Sequence, residues 1–271
     1  MRLAFLDQIV WDNVDSLILI CPRNLNQIRE RYSFLTDKAV LIYNPIDCIA
    51  LDQPKLFGSE FNLGLLGMCP MIKAPHLAVA ILKELKEIDR RYTLFVKGMQ
   101  PQEYEWLWRR SEEREYYQEF YKRIKASKFS NSVIFESYDN SLSNWFSKIG
   151  FILSTSDREG SHQSVAEGMA SGAAPIIRNW EGAELLYPGR FIFKNVAGAI
   201  DLITKLKRPD NYSRESEMVK DYARTHFAQE IIIKQYEKLI SKGHRGGYRA
   251  KDHENDKNRA VKWNPALVSA G

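Results

Sequence analysis

The chain is poor in cysteine: Cys21, Cys48 and Cys69 are the only three in 271 residues, odd in number and without a paired spacing. That pattern excludes a disulfide framework and a cysteine-based zinc site, and the thiols read as buried or incidental. The five histidines, His76, His162, His226, His244 and His253, lie far apart and lack the carboxylate spacing of a metal centre, so no metal is expected. No apolar run approaches the roughly 18 residues of a membrane span. The opening Met1-Arg2-Leu3-Ala4-Phe5-Leu6-Asp7 has none of the regions of a signal peptide, which makes a cytoplasmic location the default expectation.

Excess charge is scarce outside one end. The net charge is +5, but from Ser241 to Gly271 seven Lys or Arg stand against three Asp or Glu, which leaves the rest at about +1. Nucleic-acid binding is therefore not expected, and no aromatic-basic motif supports it. Residues 241–271 read as a flexible basic tail whose one functional reading is peripheral contact with the inner face of a membrane. The remainder, at 44% hydrophobic and 27% charged over the whole chain, is an ordinary globular mixture without internal repeats.

Strand-like and helix-like segments alternate along that remainder. Val14–Ile20, Val40–Tyr43, residues 62–67 and Tyr92–Lys97 read as strands, and Asn24–Leu35 and Pro75–Ile88 carry apolar residues at helical spacing. The order predicts an α/β fold: a Rossmann-like parallel sheet with helices on both faces. Between residues 100 and 130 an aromatic stripe runs through Tyr104, Leu107, Trp108, Tyr117, Phe120, Tyr121 and Ile124. Its spacing suits the buried face of one or two helices, with a platform for an acceptor or a membrane as the competing reading.

The densest signal is Asp157 to Gly172, which sets Glu159 and Glu167 eight positions apart around a helix start. Ile149–Ser154 before it and Ala173–Ile177 after it read as buried strands, so the helix begins at the carboxyl edge of a sheet. Ser161 is the expected N-cap, and no Asp or Glu follows in the first turn, which leaves backbone N–H groups for a phosphate. Carboxylates flanking an anion site repel the anion itself. They suit hydroxyl groups on either side of it, a sugar and a ribose.

These residues, with Gly168-Met169-Ala170-Ser171-Gly172 and Pro175-Ile176-Ile177, resemble the carboxylate signature of retaining GT-B glycosyltransferases of the family-four, group 1 type. Asn44-Pro45-Ile46-Asp47 resembles that family's interdomain hinge, and Gly67-Met68-Cys69-Pro70-Met71-Ile72-Lys73 its loop of Gly, Arg and Lys, with Met68 in place of the Arg. The resemblance runs over about residues 14–240. It implies the C-terminal, donor-binding half of a GT-B fold, with the N-terminal domain largely missing. The implied domains are a remnant at 1–40, a nucleotide-sugar-binding domain at 41–240 and the tail.

The implied activity is metal-independent transfer, with retention, of a sugar from a UDP- or GDP-sugar to a sugar, lipid-linked or other hydroxyl acceptor, in polysaccharide biosynthesis. A separate chain carrying the N-terminal half is an admissible partner, and activity of this chain alone is in question. No cofactor is implied beyond the donor substrate. By resemblance Lys73 and Glu159 are catalytic, Lys73 facing the diphosphate and Glu159 the donor sugar. Glu167 faces the ribose. Gly67, Lys97, Gly98, Ser137 and Tyr138 surround the base side, and Gly160, Ser161, His162 and Gln163 offer backbone groups to sugar and phosphate. Arg158 is the candidate for the second positive charge. Two other classes stay open: a non-catalytic nucleotide-sugar or protein-binding module derived from this fold, and a nucleotide-sugar epimerase relative.

Overall fold

The computed structural model describes residues 4–139 and 141–245. The first strands form a small unit: β1 (Leu17–Leu19), α1 (Pro22–Arg31) and β2 (Ala39–Leu41), with β1 and β2 paired in parallel. Leu6, Leu25, Ile28, Leu35 and Ala39 make a core of their own there. Pro22 begins α1, where its missing N–H costs nothing and its fixed φ suits the first turn.

A larger unit follows. It runs through α2 (Cys48–Leu51), β3 (Asn62–Leu66), α3 (Pro75–Ile88), β4 (Thr93–Lys97), α4 (Glu105–Trp108), α5 (Ser111–Lys125) and β5 (Val133–Glu136). Next come α6 (Leu142–Ser147), β6 (Phe151–Ser154), α7 (Gln163–Ala170), β7 (Ala174–Arg178), β8 (Ile192–Phe193), α8 (Val196–Leu206), α9 (Pro209–Phe227) and α10 (Gln229–Arg245). The helix over 75–88 coincides with its expected span. α10 continues to Arg245, five residues into the stretch expected as tail, and 246–271 lie outside the described residues.

Six strands form one all-parallel sheet in the order β5-β4-β3-β6-β7-β8. β6 is buried at every residue and β7 at all but its last, as expected of strands covered on both faces. Strand order reverses between β3 and β6, and in such sheets the crevice above that reversal is where ligands bind. The two loops that leave those strands, 67–74 and 155–162, therefore meet. Asp157 N–H donates to the Ile72 carbonyl at 2.8 Å, and the Thr155 hydroxyl donates to the Lys73 carbonyl at 2.8 Å.

Gly168 sets how close α7 lies to the sheet. A Cβ built on it would come within 2.5 Å of Ile152, so only glycine permits this approach. The aromatic stripe is core: Leu107 and Tyr117 are fully buried, Phe120 and Ile124 nearly so, and the Tyr117 hydroxyl donates to the Met68 carbonyl at 2.6 Å. The Asn44–Asp47 segment is stitched to the junction of α9 and α10. Ile46 N–H donates to Phe227, its carbonyl accepts from Gln229 N–H, and Asp47 caps α2 by accepting from Ala50 N–H.

Candidate functional site

A cavity of about 640 Å³ opens at the reversal point, a size that suits a small-molecule ligand. Gly67, Lys73, Lys97, Gly98, Tyr138, Glu159, Gly160, Ser161, His162, Gln163 and Glu167 all line it. The structure thus brings together, from four chain segments, eleven residues singled out in sequence. Ser137 and Arg158 do not line it. Ser137 contributes indirectly, its carbonyl accepting from Lys97 Nζ at 3.1 Å.

Lys73 and Glu159 meet on one wall, Nζ to Oε1 at 2.6 Å, and the Ser156 hydroxyl donates to the same oxygen at 2.5 Å. Burial pushes the Glu159 carboxyl up, but the neighbouring imidazole and ammonium and the two hydrogen bonds outweigh it, so its pKa falls below the ordinary value. Glu167, on the second turn of α7, has fewer partners. Burial raises its pKa, and only the Gln163 amide, donating at 3.1 Å, opposes that. Two carboxylates of one cavity are thereby driven in opposite directions.

The helix start differs from expectation. α7 begins at Gln163, its N-cap is His162 with φ 41° and ψ 67°, and Ser161 is not the cap. The chain turns at His162 because its imidazole is drawn into the interior. Nδ1 lies 2.6 Å from Ser154 Oγ, whose oxygen also accepts from Trp180 Nε1 at 3.3 Å. The Tyr187 hydroxyl, 2.8 Å from the Ser161 carbonyl and 3.2 Å from that of His162, fixes the preceding peptide. Burial drives the imidazole down to about 4, which Glu159 only partly opposes, so His162 is neutral at pH 7. The Ser161 hydroxyl accepts instead from the Asn44 amide at 3.2 Å and ties the turn to the hinge-like segment.

No side chain caps α7, and its first turn holds no acidic residue, so the start of this helix presents positive partial charge to the cavity. Arg158 is exposed and away from this point, whereas Met68 is buried in the core. The second cation of the cavity is Lys97. It is 3% exposed, its Nζ held 3.0 Å from Asp139 Oδ2 and by the Ser137 carbonyl. Tyr138, Met99 and Leu142 give the same end an apolar face.

Sequence reasoning missed six lining residues: Ile20, Leu66, Met99, Tyr104, Leu142 and Ser164. Leu66, Met99 and Ser164 are chain neighbours of Gly67, Gly98 and Gln163, so their presence was inferable from the loops already chosen. Ile20 and Leu142 carry no such local signal, whereas Tyr104 belongs to the aromatic stripe, whose competing reading was an acceptor platform.

No protein-family model and no curated protein sequence matches the chain. Solved structures do match in fold. The HepE protein of Anabaena, crystallised with UDP and glucose, superposes with a TM-score of 0.68 at 14% identity, over 87% of this chain and 68% of that one. A glycosyltransferase from Rickettsia africae gives 0.72 at 14% identity, over 91% and 69%. Sucrose-phosphate synthase from Thermosynechococcus elongatus gives 0.70 at 16% identity, over 90% and 62%. The chain thus spans about two thirds of the length of these structures, and its α/β architecture is that of GT-B glycosyltransferases.

Proposed function

We propose that this chain is the donor-binding part of a metal-independent retaining glycosyltransferase of the family-four, group 1 type, moving a sugar from a UDP- or GDP-sugar to a hydroxyl acceptor. One observation carries the reading: Lys73, Glu159 and Glu167 converge with the uncapped start of α7 on one cavity above the reversal point of the sheet. HepE, solved with UDP and glucose, lends the donor class its support.

The parts divide the work by their chemistry. The diphosphate lies against the start of α7, where helix dipole and backbone N–H groups attract it, and Lys73 leaves Glu159 to pair with it. As the bond from the anomeric carbon to the phosphate oxygen breaks, its electron pair goes to the diphosphate. Charge builds there, and Lys73 and the helix start stabilise it most in the transition state. Glu159, released from Lys73, accepts from the donor sugar's hydroxyls, and Glu167 accepts from the ribose. Lys97, Gly98 and Tyr138 hold the base end. The acceptor hydroxyl then bonds to the anomeric carbon on the face the diphosphate left, and its proton passes to an oxygen of the departing diphosphate. Acceptor contacts and full activity come from an N-terminal half carried on the same or a separate chain, in the cytoplasm or at the inner face of a membrane.

Calorimetric titration with UDP and GDP tests this directly. Binding in the micromolar to millimolar range, lost in Glu167→Ala and Lys73→Ala, is the expected result. Failure of both nucleotides to bind the wild-type chain overturns it.

A further inference from the structure

The loop that carries Lys73 is held from outside the cavity. After β3 it folds into a 3-10 turn, Met71–Lys73, whose N-cap position is Pro70 and receives no side-chain cap from its own segment. The first N–H groups of such a turn find no partner within it. Glu113, in the first turn of α5, supplies one: its Oε2 accepts from Met71 N–H at 2.8 Å. One turn along the same helix, the Tyr117 hydroxyl donates to the Met68 carbonyl at 2.6 Å. Neither residue lines the cavity.

Glu113 is 6% exposed, and its carboxylate is spent on a peptide N–H and not on a cation. A carboxylate is costly to bury, although the start of α5 and a charge-assisted hydrogen bond offset part of that cost. What the arrangement secures is the place of Met71. From the other side, the Thr155 hydroxyl and Asp157 N–H donate to the Lys73 and Ile72 carbonyls, each at 2.8 Å. The backbone at Lys73 is thereby fixed between α5 and the loop after β6, while its ammonium ends in a contact with Glu159 that a side-chain rotation releases.

We propose that Glu113 is a positioning residue for the donor site: from α5, its carboxylate fixes the turn 71–73 and so sets the point from which Lys73 reaches the diphosphate. This rests on the donor-site reading above and extends it to a helix residue that touches no ligand. Without the anchor the turn samples other arrangements. The fraction of chains with Lys73 in reach then falls, and apparent affinity falls by that fraction.

The test compares wild type with Glu113→Ala, Glu113→Gln and Ile124→Ala by melting temperature and by titration with UDP and GDP. Ile124 is a core residue about three turns further along α5. Glu113→Ala is expected to weaken the tighter nucleotide about tenfold, and Glu113→Gln, whose amide oxygen still accepts from Met71, to stay within about threefold. Ile124→Ala is expected to lower the melting temperature at least as far, with affinity within about twofold of wild type. Wild-type affinity in Glu113→Ala overturns the role. Equal losses in Glu113→Ala and Glu113→Gln overturn it too, as does a loss in all three that follows the melting temperature, since the carboxylate then serves only the fold. Should Glu113→Ala fail to fold, Tyr117→Phe takes its place: weaker binding supports anchoring by α5, and unchanged binding overturns it. If wild type binds neither nucleotide, the donor-site reading fails and this role fails with it.

Discussion

Lys73 and Glu159, 86 residues apart in the chain, form an ion pair 2.6 Å long on the wall of the cavity, with side chains 26% and 10% exposed. The pair keeps both charges compensated at the cavity wall until, on the proposed reading, a bound diphosphate draws Lys73 away. Lys73→Met strands a buried carboxylate and is expected to cost about 2 kcal/mol of stability as well as nucleotide affinity. Adding Glu159→Gln restores most of the stability and none of the affinity. Urea denaturation of the single and double variants, beside calorimetry with UDP and GDP, separates the two effects.

Glu167 supplies a pH dependence with a definite sign. Its pKa lies above the ordinary 4.5 because burial disfavours the anion. Acidification therefore protonates it earlier than a surface glutamate and, on the proposed reading, removes an acceptor from the ribose. Nucleotide affinity is expected to weaken as pH falls toward the carboxylate range, beginning at a higher pH than for an ordinary glutamate, and Glu167→Gln is expected to flatten that slope. Titrations at several pH values check it.

His162 makes a second prediction about pH, this time for stability. Its pKa in the folded chain is about 4 against an ordinary 6.5, so the unfolded state binds the proton first. The stability present at pH 7 is therefore lost as pH falls through 6.5 toward 4, by about 3 kcal/mol in full. His162→Asn removes this loss and, since asparagine tolerates the left-handed region, keeps the turn. His162→Ala is expected to be less stable than His162→Gly by about 1 kcal/mol, because only glycine takes φ 41° freely. Chemical denaturation across this pH range reads both outcomes.

Lys97 and Arg158 give a contrast within one charge type. Lys97 is buried in the cavity wall, and Arg158 is exposed outside the cavity. Lys97→Met is expected to weaken the preferred nucleotide about tenfold or more by removing a desolvated donor, whereas Arg158→Ala stays within about twofold. Calorimetry on the two variants decides between them.

Much of the frame is legible in the sequence because it obeys local rules. Phe151-Ile152-Leu153 and Pro175-Ile176-Ile177 read as strands covered on both faces and are found so, and the apolar spacing of Pro75–Ile88 reads as the helix found there. The span from Glu159 to Glu167 is equally local: a loop residue and a second-turn residue flanking one helix start. The turn itself is not. Ser161 has the better capping side chain, yet His162 takes the position because Ser154, Trp180 and Tyr187, from three other segments, hold it.

By itself the sequence determined the order of strands and helices, the sheet edge at which the site lies, and the pairing of two carboxylates with a helix start free of acidic residues, since each follows from residue type and spacing over short stretches. Only the tertiary structure decided that Lys97 and not Arg158 faces the cavity, that Met68 turns inward, and that Glu113 holds the loop of Lys73. Direction and burial depend on segments far apart in the chain packing at one place, and no local pattern carries that information.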